Sequence, residues 1–203
     1  SNDVTMRGAG RRRRIRRRTR YVITAIPFGI NGRRNDRNED RGWMRHFTKE
    51  SRIAAPPATV FQFHERPDAL KLLTPPWEPV EVVEPPKSLQ PGARAVLRMR
   101  LGPFRFDWVA EHVEYERDRL FVDRQVKGPF AYWRHRHCFE EDGGGATILR
   151  DEVEYRTHLG AVGAVLAGTF IQTRLQRVFD FRHEVTRLAC ERADHPRVDS
   201  VFS

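Results

Sequence analysis

The chain has 203 residues, 39% of them apolar and 32% charged, which fits one water-exposed globular domain and excludes a membrane-embedded or fibrous protein. The net charge of +10 is local: residues 1–43 hold 13 Arg, no Lys and 4 acids (+9), while residues 44–203 hold 24 basic and 23 acidic residues (+1). The body is nearly neutral and gives no reason to expect nucleic-acid binding there. Two cysteines, Cys138 and Cys190, exclude a disulfide framework, and no apolar run is long enough to span a bilayer. A cytoplasmic location is the expectation.

Residues 1–43 include RRRRIRRRTR and few apolar groups, so they read as a basic, disordered extension. An all-Arg bias without Lys reads as translated GC-rich DNA ahead of a start at Met44. The alternatives are a nucleic-acid tail and a targeting segment. The stretch YVITAIPFGI is short, contains Pro27 and lacks a small-residue cleavage site, unlike an export signal.

From Met44 the chain reads as a domain to residue 193, with a flexible tail over 194–203. Phe47–Ala55 is a strand. Ala58–Leu73 is helical with a break at Pro67. Strands follow at Val80–Glu84, Ala93–Leu101, Phe104–Glu116, Leu120–Lys127, Ala131–Glu140 and Ala146–Tyr155, each bounded by turn residues. Such short connections favour antiparallel hairpins. A helix over about Ala161–Ala193 closes the chain, with Ile171, Leu175, Val178, Val185 and Ala189 at helical spacing. At about 1.5 Å per residue it is long enough to cover the sheet. The fold class is α+β: a curved antiparallel sheet of six to seven strands around one long helix, with two short helices after the first strand.

Period-two alternation gives each strand an inner and an outer face. The inner face carries Leu97, Phe104, Phe106, Trp108, His112, Phe121, Trp133, Phe139, Leu149, Val153 and Tyr155. It also carries Asp123, Gln125, His135, His137 and Asp151 on neighbouring strands. Burying such polar groups without partners costs about 1–3 kcal/mol each, so they must pair with each other or with a ligand. Small residues from Gly160 to Gly168 begin the closing helix and leave room opposite the sheet. An apolar wall with a few convergent polar groups describes a small-molecule cavity. The predicted lining is Phe104, Phe106, Trp108, Phe121, Gln125, Trp133, His135, His137, Leu149, Asp151, Tyr155, Ala167 and Ile171.

The segments SRIAAPPATVFQFHERPDALKLLTPPWEPVEVV, GPFRFDWVAEHVEYE, FVDRQVKGPFAYWRHRHCFE and TILRDEVEYRTHLGAVG resemble the SRPBCC superfamily over about Met44–Ala193. This is the START-like, helix-grip group that includes polyketide cyclases/aromatases and lipid-transfer domains. The likeness is strongest to its small stand-alone ligand-binding proteins. It implies a sheet gripping the C-terminal helix around a cavity for a lipid, an isoprenoid or quinone, or a polyketide-like aromatic. The superfamily shares no catalytic residue set, so none is carried over.

His135 and His137 with Asp123 and Asp151 could hold a metal through nitrogen and carboxylate ligands, or act in general acid–base chemistry. Without a certain third histidine, a hydrogen-bonded polar cluster is favoured, and no metal or cofactor is assigned. The leading expectation is a non-catalytic binder. The alternatives are a cyclase/dehydratase using the His/Asp cluster, and nucleic-acid binding through the Arg-rich tail. No nucleophile is assigned: Ser51, Ser88, Cys138 and Cys190 lack the necessary context.

Overall fold

The computed structural model describes residues 44–101, 103–158 and 160–193. The expectations for residues 1–43 and for the tail after residue 193 lie outside the described residues. The order is β1 (Arg45–Ile53), α1 (Pro57–Glu65), α2 (Ala69–Leu72), β2 (Val80–Glu84), β3 (Arg94–Leu101), β4 (Phe104–Glu116), β5 (Leu120–Lys127), β6 (Phe130–Glu141), β7 (Thr147–Thr157) and α3 (Gly160–Ala193). All seven strands form one antiparallel sheet in the order β1-β7-β6-β5-β4-β3-β2. The sheet therefore closes its first strand against its last, leaving β1 and β2 at the edges.

Local chemistry sets the boundaries. Pro57 occupies the first turn of α1, where its missing N–H costs nothing, and Arg66 leaves the helix because Pro67 follows it. In the β6–β7 turn, Gly143 and Gly145 adopt positive φ, and Asp142 Oδ1 accepts from the backbone N–H groups of Gly144 (2.9 Å) and Ala146 (3.1 Å). The outer face of the sheet carries charge ladders, among them Arg98–Asp107 at 3.0 Å and Arg134–Glu114 at 2.6 Å.

The inward alternation is unbroken on β7, where Thr147, Leu149, Asp151, Val153 and Tyr155 are all buried. On β4 it holds through His112, and then the register slips between His112 and Glu114. This bulge turns Tyr115 inward, where its ring meets Phe61 edge-on at 5.6 Å.

Two apolar clusters make the core. One joins α1 to the sheet and the end of α3 through Ile53, Val60, Phe61, Phe139, Leu149 and Cys190. The other holds Phe47, Trp133, Val153, Tyr155 and Phe179, with Trp108, Ile171 and Leu175 packed on it. Phe61 is fully buried, with rings of Tyr115, Phe121 and Phe139 around it. Phe61→Ala is expected to lower the unfolding free energy by about 3–5 kcal/mol in urea or guanidinium denaturation. A loss under about 1 kcal/mol would mean that α1 is not part of the core.

Candidate cavity and its buried histidine–aspartate cluster

Between the two apolar clusters lies a polar layer. On β7, Asp151 separates Leu149 from Val153. On β6, His137 and His135 separate Phe139 from Trp133. On α3, His183 separates Phe179 from Cys190. Strand and helix periodicities bring these residues to one level, and β5 adds Asp123, paired with His135 across the ladder.

Asp151 is the hub. Its Oδ1 lies 2.8 Å from His135 Nε2 and its Oδ2 lies 2.6 Å from His183 Nε2, both hydrogen bonds. His137 Nδ1 approaches the same Oδ1 at 2.7 Å, off the line of a good hydrogen bond. Asp123 Oδ2 sits on the other side of the two strand histidines, 3.4 Å from His135 Nδ1 and 3.4 Å from His137 Nε2. The His135 and His137 rings are 3.8 Å apart between centroids, and Phe121 stacks on His137 at 3.9 Å.

Burial opposes a proton on His135, yet the Asp123 and Asp151 carboxylates beside it overcome that and lift its pKa to about 9. Burial likewise disfavours both carboxylate charges, and the neighbouring imidazoles outweigh it, holding each well below the usual carboxylate range. Two more histidines behave oppositely. His64 on α1 is pushed down to about 4 by burial and by His137. His112 is lowered mainly by burial. The tautomer of each is fixed, because a carbonyl can only accept: His64 Nδ1 donates to Val60 O at 2.8 Å and His112 Nδ1 to Ser88 O at 3.0 Å. Both therefore keep an Nε2 lone pair.

His64, His112, Asp123, His135 and His137 line a cavity of about 150 Å³. Its polar lining is His64, Arg66, His112, Asp123, His135, His137 and Arg182. Its apolar wall is Leu70, Leu73, Leu89, Ala95, Leu97, Trp108, Ala110, Phe121 and Trp133, with Pro67 and Pro86 also in contact. Arg182 donates Nε–H to Leu73 O at 3.2 Å and makes no ion pair within 4.0 Å among the described residues.

Of the predicted lining, Trp108, Phe121, Trp133, His135 and His137 stand on this wall. Asp151 lies behind the histidines and acts through them. Phe104 must be corrected: it is 71% exposed, on the last rung of the β3–β4 hairpin, with no described residue packed over it. Phe106 is half-buried and off the wall. Gln125 is off the wall too, because its side chain staples the β5–β6 turn, donating to Phe130 O at 2.7 Å and accepting from Phe130 N–H at 3.3 Å. Leu149 and Tyr155 belong to the apolar clusters, where Tyr155 accepts from Gln172 Nε2 at 3.3 Å, and Ile171 packs on the second cluster. The side chain of Ala167 lies outside the described residues. The space expected opposite the small start of α3 is not seen at Gly168, where the Arg45 guanidinium fills it; the cavity lies opposite Arg182 instead. Cys138 and Cys190 are both buried, which raises their thiol pKa values, that of Cys190 to about 11.

Sequence reasoning missed His64, Arg182 and His183. The signal for His183 was present: Leu175, Phe179, His183, Thr186 and Cys190 follow one helical stripe, and its last four members are buried. His64 sits beside Phe61 and Phe63 in a helix buried on more than one side, where periodicity says little.

The chain matches the family described as "polyketide cyclase / dehydrase and lipid transport" over residues 53–182 and belongs to it. No curated protein matches the sequence. Among solved structures, 243 chains match. The Zhui aromatase/cyclase from Streptomyces sp. R1128 is 16% identical, with a TM-score of 0.59 over 78% of this chain and 99% of that one. Norcoclaurine synthase from Thalictrum flavum, in complex with dopamine and hydroxybenzaldehyde, is 14% identical, with a TM-score of 0.57 over 82% of this chain and 98% of that one. A nucleoside-diphosphate sugar epimerase from Corynebacterium glutamicum is 25% identical, with a TM-score of 0.53 over 70% of this chain, which spans only 28% of that one. These likenesses define the helix-grip fold. Among the described residues no helix is long and apolar enough to cross a membrane.

The histidines make stability pH-dependent. A histidine whose pKa is depressed by folding contributes stability above its unfolded value near 6.5 and loses it as pH falls toward the folded value. For His64 the window is about pH 6.5 to 4, and His112 acts in the same direction. The expected loss from His64 is on the order of 3 kcal/mol. Denaturation at stepped pH measures it, and His64→Gln should flatten the slope. An equal slope in wild type and variant would contradict this assignment.

Proposed function

We propose that the protein binds a compact, oxygen-bearing hydrophobic molecule of the polyketide-like aromatic kind. The observation that carries this reading is the mixed lining of the cavity, aromatic and aliphatic side chains together with a few histidines, a carboxylate and guanidinium groups. The aromatic part of the lining, with Trp108 edge-on to Trp133 at 4.9 Å, suits a flat ring. The polar part offers acceptors on His64 and His112 and donors on Arg182, which suit hydroxyl and carbonyl groups. A long acyl or isoprenoid chain would leave those groups unpaired, at about 1–3 kcal/mol each. The volume also favours a small molecule, since a cavity near 150 Å³ admits about one benzene-sized ring.

A second reading is a cyclase or dehydratase. It is favoured by His135 and Asp123, a proton donor and a carboxylate side by side on the cavity wall. Such a pair could take a proton from the carbon next to a ketone and return one to a departing hydroxyl.

Native mass spectrometry of the purified chain, with chromatography–mass spectrometry of its organic extract, tests the first reading. The expected result is a bound aromatic ketone or phenol. Trp108→Ala should weaken its binding by about 10- to 100-fold, while His135→Gln should retain much of it. A long-chain lipid in the extract, displaced by no phenol, would overturn the proposal. Turnover of the bound molecule, lost in His135→Gln with affinity kept, would establish the enzyme instead.

A further inference from the structure

We propose that Asp123, His135 and His137 form a binding site for a divalent transition-metal ion of the zinc class, with a fourth coordination position open to the cavity. The proposal does not depend on which organic molecule fills the cavity. Three observations carry it.

The first is the spacing. Asp123, His135 and His137 each offer a ligand atom, and these three atoms lie within 4.8 Å of one another. Both nitrogens stand 3.4 Å from the same carboxylate oxygen. That is long for a charge-assisted hydrogen bond, which closes to about 2.7–2.9 Å. It is the edge of a tetrahedron around an ion held by bonds of about 2.0–2.1 Å, since such an edge measures about 3.3–3.4 Å.

The second is the enclosed carboxylate. The Asp123 side chain is only 15% exposed, and its Oδ2 meets both strand histidines at 3.4 Å rather than at the length of a close charge-assisted hydrogen bond. An ion held between the three groups would engage that oxygen and both nitrogens at bonding distance.

The third is the support behind the two histidines. Asp151 faces the opposite nitrogen of each ring, His135 Nε2 at 2.8 Å and His137 Nδ1 at 2.7 Å. Outer carboxylates of this kind fix the tautomer and orientation of metal-binding imidazoles. His183 holds the other Asp151 oxygen at 2.6 Å, so α3 locks the support in place. All three ligands line the cavity, so the remaining position faces bound substrate or water, as in catalytic rather than structural zinc sites.

The test is calorimetric titration of chelator-treated full-length protein with ZnCl2, and a parallel Co2+ titration followed by visible absorption. The expected result is one ion per chain, the intense visible bands of four-coordinate Co2+, and a rise in Tm at saturation. His137→Gln and Asp123→Asn should weaken binding at least 100-fold. Asp151→Asn, which touches no ion, should weaken it by about 10- to 100-fold. His46→Gln, outside the cluster, should change nothing. Circular dichroism confirms that each variant is folded. The wild-type titration decides the question even if a variant fails to fold: no binding tighter than millimolar overturns the proposal. So does binding that persists in folded His135→Gln/His137→Gln, which would place the ion elsewhere.

Discussion

One carboxylate, Asp151, sets the geometry on which the site depends. It is buried under α3, and it survives as an anion only because three imidazoles surround it. Two of these come from β6 and one from α3, so the charge ties the sheet to the helix at mid-length. The Asp151 contacts hold that position, because a displaced helix would strand a buried charge. Registry between sheet and helix is therefore specified by a polar contact, while most of the binding energy between them is apolar.

The same residue explains how the strand histidines come to face the cavity. Asp151 draws the outer nitrogens of His135 and His137 toward β7, which turns their other nitrogens toward Asp123 and the cavity. His64 and His112 reach the same space from α1 and β4, held by backbone carbonyls and kept neutral by burial. A charged His135 and neutral His64 and His112 thus share one cavity for separate reasons, the first set by carboxylates and the others by desolvation.

The sheet was almost fully legible in the sequence, because its strands are separated by Pro, Gly or Asp turn residues and alternate over most of their length. The β4 bulge after His112 was not, since nothing in EHVEYE marks where the alternation slips. The inward pairing of His135, His137, Asp123 and Asp151 followed from parity alone. The cavity wall followed only in part. Facing inward is not the same as facing open space: Leu149 and Tyr155 point inward and are packed solid, while Gln125 is diverted by a local turn. Phe104 kept the right parity but lies where no described element covers the sheet. The contributions of α1 and α3 depend on which helical stripe meets which strand, and that is a tertiary fact.

The break between the two apolar clusters has an evolutionary meaning. A domain selected only for persistence would fill this layer with leucine and valine, fusing both clusters into one continuous core. Replacing buried ionic groups by apolar ones of similar size is often neutral or stabilising. Each histidine and aspartate retained here is thus a standing concession of robustness, and mutational drift toward a sealed, sturdier relative is always close at hand. A polar layer between two apolar clusters thus costs stability that a continuous apolar core would supply.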